Sequence, residues 1–97
     1  MNRITKNEEK LDEVIKTLNQ LEEALNNLEA VIPKLKEVNK YYGSKNWFKD
    51  KDDYEKGKIK NIKAGVLSED AIWNTNEKIK DLYDQMKEII NKIKKER

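Results

Sequence analysis

Aliphatic residues recur along the first third of the chain at alternating steps of three and four: Leu11, Val14, Leu18, Leu21, Leu25, Leu28, Ile32 and Leu35. Glu, Lys, Asn, Asp and Gln fill most of the positions between them. This is the a/d seam of a heptad on one long helix, and such a seam is stable only when another helix covers it. Ile4 lies in phase with it, while Thr5 followed by Glu8 has the spacing of a capping box, so the pattern predicts a helix from Ile4 or Thr5 to about Tyr41. Pro33 falls inside that span. It removes the amide that would bond the Glu29 carbonyl, yet the seam keeps its phase from Leu28 through Ile32 to Leu35. A continuous helix kinked at Pro33 is therefore expected.

Gly43 ends this helix, just after Tyr41 and Tyr42. Ser44 is placed to cap a short second helix that carries Trp47, Phe48 and Tyr54 and stops at Gly57. The span from Gly43 to Leu67 is too long for a bare connection, normally ~2–8 residues, so it needs structure of its own. The aromatics give it something to bury. Residues 58–65 show no clean period and read as an irregular loop or a single turn. A third helix begins at Ser68: Glu69 and Asp70 place negative charge in its first turn, and Leu67 with Ile72 has the spacing of a hydrophobic staple. Its seam is Ile72, Ile79, Leu82, Met86, Ile89 and Ile93, widened by Trp73, Tyr83 and Ile90.

These elements predict a single all-α domain, residues 1–97. Two long antiparallel helices form a coiled-coil-like hairpin, with a short aromatic capping helix between them in sequence. Charged residues make up 41% of the chain and hydrophobic ones only 36%, so 97 residues bury a thin core alone. Apolar edges such as Val31, Val38, Tyr83 and Ile90 then point to a homodimer or a larger bundle.

Composition excludes more chemistry than it suggests. Histidine and cysteine are both absent, which removes the usual zinc sites, Ser-His and Cys-His catalysis, and any disulfide framework. Ser44 and Ser68 are better explained as helix caps than as nucleophiles. The acidic run Asp50, Asp52, Asp53 and Glu55 fails as an EF-hand, because Glu55 stands where glycine is needed and Asn61 where the bidentate Glu is needed. No metal or cofactor is expected, and no enzymatic role. A net charge of +2 does not announce a nucleic-acid binder. The opening residues Met1 to Lys10 lack the apolar core of a secretory signal, and no apolar run approaches the ~20 residues that span a bilayer. A cytoplasmic protein without a membrane partner is the expectation.

One surface remains as a candidate site. Lys56, Lys58, Lys60 and Lys63 lie close in sequence to Trp47 and Trp73, with Tyr41 and Tyr42 placed to join them and Ser68 at a helix start. Aromatic faces stack on bases and lysines neutralise phosphates, so a small anionic, nucleotide-like ligand is the chemistry this composition would take. The competing reading puts the aromatics in the core and the lysines in water, and it is favoured because Glu69 and Asp70 would repel a phosphate at that helix start.

Three clusters carry a resemblance over nearly the whole chain: Arg3-Ile4 with Leu11-Asp12-Glu13; Tyr41-Tyr42-Gly43-Ser44 with Trp47; and Gly65-Val66-Leu67-Ser68-Glu69-Asp70-Ala71-Ile72. The chain resembles the small bacterial proteins grouped as domain of unknown function 4298. The last cluster is the specific part, since heptads alone match many coiled coils. The resemblance implies a folded domain and a bacterial or phage setting, and it brings no catalytic or binding residues. The loop before Gly65 is richer in lysine here than that family suggests. The functional expectation is a non-enzymatic helical protein that binds itself or another protein. The alternative is a small-ligand binder that sequesters a nucleotide-like signal at a subunit boundary.

Overall fold

The computed structural model describes residues 2–96 and consists of three α-helices and one 3-10 turn. Helix α1 spans Asn2–Tyr41, α2 Lys45–Glu55 and α3 Glu69–Lys95, with the 3-10 turn Gly65–Leu67 just before α3. By its contacts the chain divides into two compact units, Met1–Lys36 and Glu37–Arg97.

Helix α1 runs without a break through Pro33. The aliphatic row keeps the same phase on both sides of that residue. The start of the helix corrects the expectation from sequence: Thr5 lies inside α1 and caps nothing, because helical backbone already holds at Asn2. The in-phase Ile4 was the better guide than the Thr5–Glu8 spacing. In the first unit the seam residues Leu11, Val14, Leu18, Leu21, Leu25, Leu28 and Ile32 are between 41% and 53% exposed. Among its described residues α1 has none that is buried.

The second unit holds the core. Its buried apolar residues are Trp47, Leu67 and Ile72, one each from α2, the 3-10 turn and α3. Both α2 and α3 pack against the 3-10 turn, so the turn is the centre of the unit. Local signals set the boundaries. Gly43 takes a φ of 78° after α1, in the left-handed region that side chains disfavour. Helix α2 ends in a Schellman motif: Lys58 N donates to Asp53 O at 2.9 Å and Gly57 N to Tyr54 O at 3.1 Å, with Gly57 at φ 76°. Beyond α3's first turn its large apolar residues stay open, from Met86 at 37% to Trp73 at 61% exposed.

Candidate functional site

The second unit is assembled around the Trp47 indole. Ser44 Oγ accepts from Trp47 N at 3.2 Å, which caps α2 and fixes where its first turn projects. The indole is only 3% exposed, and its Nε1 donates to Val66 O at 2.9 Å, so the one polar atom of the ring is satisfied by the 3-10 turn. Tyr42 and Phe48 each meet it edge-on with ring centroids 5.0 Å away, and Lys51 Nζ lies 5.1 Å from its centroid. The lysine arises from helical spacing, since it stands one turn after Trp47 on the same face of α2. Its ammonium also pairs with Glu69 Oε1 at 2.9 Å. That hydrogen bond, then charge attraction, holds the Glu69 carboxyl below the usual range and raises the Lys51 ammonium.

Two tyrosines tie the end of α1 to this unit. Tyr42 Oη donates to Glu69 O at 3.1 Å, and Tyr41 Oη donates to Asp50 Oδ2 at 2.6 Å. The bond to Asp50, with desolvation and the nearby negative charge behind it, pushes the Tyr41 phenol up to about 12. Asn76 Nδ2 donates both to Ile72 O and to Asn39 Oδ1, each at 3.0 Å, which joins α3 to the last turn of α1.

The residues of the sequence-based candidate site scatter by role. Tyr42 and Trp47 do come together, edge-on and bonded to backbone carbonyls, while Tyr41 bonds Asp50 and lines a separate groove of about 300 Å³ with Glu37, Lys40, Ser44 and Asn46. Ser68 caps α3, its Oγ accepting from Asp70 N at 3.2 Å, with the staple residues Leu67 and Ile72 both buried. Trp73 faces out. Lys58 sits 3.8 Å from Asp53 Oδ1, while Lys60 and Lys63 are exposed in the loop. Phe48 and Tyr54 are exposed as well, so Trp47 is the only aromatic of α2 that is buried. A groove of about 280 Å³ does border this unit, lined by Lys51, Tyr54, Glu55, Ala64, Leu67 and Ser68. Ser68 is the one residue it shares with the sequence-based set. The acidic run is dispersed among partners, Asp50 on Tyr41, Asp52 on Lys56 and Asp53 on Lys58.

Sequence reasoning missed Lys51 and the Val66 carbonyl as the groups that meet Trp47, and Glu69 as the partner of Lys51. Only Lys51 had a signal, its one-turn spacing from the tryptophan; the other two approach from residues far along the chain. Among the described residues no helix is long and apolar enough to cross a membrane. The family model described as Domain of unknown function (DUF4298) matches residues 4–89. No curated protein and no solved structure matches the chain.

Proposed function

Because the chain belongs to the DUF4298 family, whose description assigns no activity, we propose from its own surfaces that it is a non-enzymatic helical interaction protein of a bacterium or phage, cytoplasmic, acting through self-association or protein binding. The observation that carries this reading is the seam of α1, a continuous row of aliphatic side chains left about half exposed. Single exposed apolar residues need no explanation, but a row of this length marks a surface that something covers.

Part of the cover is proposed to be α3, folded antiparallel on α1. The seams match step for step when read in opposite directions: Leu35 with Ile79, Ile32 with Leu82, Leu28 with Met86, Leu25 with Ile89 and Leu21 with Ile93. The Asn39–Asn76 hydrogen bond lies about one turn ahead of the first of these layers and supports the same register. Val31 and Val38 on α1, and Tyr83 and Ile90 on α3, widen each stripe beyond a two-helix seam. That width fits a bundle made by more than one hairpin.

The small-ligand reading has less support. Trp47 is enclosed by protein on its faces and edge, Ser68 is engaged as a cap, and the lysines of the loop converge on no cavity. Native mass spectrometry of the protein taken directly from lysate separates the two. A homo-oligomer or a protein complex without a small molecule supports the interaction reading. A chain of 11.5 kDa that retains a nucleobase-absorbing compound would replace it with the ligand reading.

A further inference from the structure

Resting on the proposed hairpin, we infer that the N-terminal part of the α1 seam, Ile4 to Leu18, is covered by the same segment of a second copy of this chain, parallel and in register. The apolar seam of α3 gives out at Ile93, where Lys94, Lys95 and Glu96 follow. In the register above Ile93, the last aliphatic of that seam, stands opposite Leu21, and the α3 helix ends at Lys95, so its described seam leaves Ile4, Leu11, Val14 and Leu18 unpaired. All four are more than half exposed, and an open depression runs along this stretch between Lys10 and Leu18.

Charge and polarity decide the occupant and its direction. With Ile4, Leu11 and Leu18 as a positions, Asn7 and Val14 are d, Arg3 is g and Glu8 is e. In a parallel pair each g residue faces the e residue five positions on in the other helix, so Arg3 meets Glu8 of the second copy, twice by symmetry. None of the following g/e steps along the helix, Lys10 with Ile15 and Thr17 with Glu22, joins like charges. Asn7 meets Asn7 across a d layer, where the two amides can hydrogen-bond each other while any shifted register sets an amide against an aliphatic side chain. Its Nδ2 already donates to Arg3 O at 2.7 Å, and an amide keeps a second hydrogen and an acceptor oxygen for its counterpart.

The antiparallel alternative is worse on each point. Matching the same seam head to tail sets Asn7 opposite Ile32 and brings Glu8 beside Glu29 of the other copy. It would also use Leu21 to Leu35, the layers assigned to α3.

The chain contains no cysteine, so single cysteines report direction cleanly. Full-length Val14→Cys, oxidised or bridged with a short bis-maleimide, should form a covalent dimer. A mixture of Val14→Cys and Leu25→Cys chains should give no heterodimeric cross-link. Reversing one charge, Arg3→Glu or Glu8→Arg, should raise the dimer dissociation constant roughly two- to tenfold, and the double swap should restore it. A dimer that cross-links Val14 to Leu25 instead overturns the parallel arrangement and leaves self-association standing. A chain that remains monomeric in sedimentation at high concentration overturns both.

Discussion

Two regions of this chain, the small aromatic unit at residues 41–72 and the seam of α1, use their apolar residues in opposite ways. Residues 41–72 bury three apolar side chains and fasten them with a tryptophan–carbonyl bond, two tyrosine hydroxyls, two serine caps and a lysine–glutamate pair. Helix α1 carries many more aliphatic side chains and buries none of them among its described residues. In the small unit the buried indole and the groups around it are hydrogen-bonded to one another, and among the described residues no buried side-chain polar atom lacks a partner. The partners proposed for the seam are α3 and a second copy of the chain. Stability of the first should depend on its own contacts, and stability of the second on what is bound to it.

The largest effect expected is at Trp47. Trp47→Ala removes the centre of the small unit and leaves the Val66 carbonyl without its donor, which should destabilise that unit by about 3–5 kcal/mol. The loss should be the same in dilute and concentrated protein when followed by near-ultraviolet circular dichroism, because nothing outside the unit contributes. A concentration-dependent loss would blur the distinction between the two regions.

Leu11→Ala, in the part of the seam assigned to a second copy, should behave in the opposite manner. In dilute protein it removes a half-exposed side chain and changes melting little; in associated protein, with the seam covered, it should cost about 2–5 kcal/mol. Glu22→Ala, off the a/d positions, is the control and should be nearly neutral at either concentration. If Leu11→Ala melted like the parent in concentrated protein, the N-terminal heptads would not be the buried face.

Much of this division is legible in the chain. Ser44, Ser68, Gly43 and Gly57 mark helix ends through local chemistry, and the structure finds each where its cap or left-handed turn belongs. Leu67 and Ile72 announce the staple for the same reason. The start of α1 was obscured because two local signals competed and the in-phase Ile4 prevailed over Thr5. The surroundings of Trp47 were mostly illegible. Val66 and Glu69 approach it from 19 and 22 residues along the chain, and no periodicity encodes such a meeting. The lysine-rich loop looked like a site because composition places charges near aromatics in sequence, whereas the fold turns the indole inward and leaves Lys60 and Lys63 in water.

Ser68→Ala should lower the stability of the small unit by ~1 kcal/mol through loss of the α3 cap, with no change in self-association. Thermal melts of the two forms at matched concentration would show it. A loss of association without loss of stability would move Ser68 from the cap to a binding surface.

The smallest effect is confined to high pH. Tyr41 is held neutral by Asp50 up to about 12, so the stability this bond contributes is present in full below the ordinary tyrosine range near 10 and fades as pH rises through about 12. Ultraviolet titration should show a late phenol step near 12, and Tyr41→Phe should delete it. A late step that survives the substitution would assign it to another tyrosine.

The contrast between a finished unit and an unfinished seam is tested most directly by sedimentation equilibrium of the full chain, from below 1 µM to about 100 µM, with far-ultraviolet melts at each concentration. Completion of the seam by another copy predicts a mass that rises from 11.5 kDa toward twice that value, together with a helix melting temperature that climbs with concentration. A constant mass of 11.5 kDa and a melting temperature independent of concentration would contradict it.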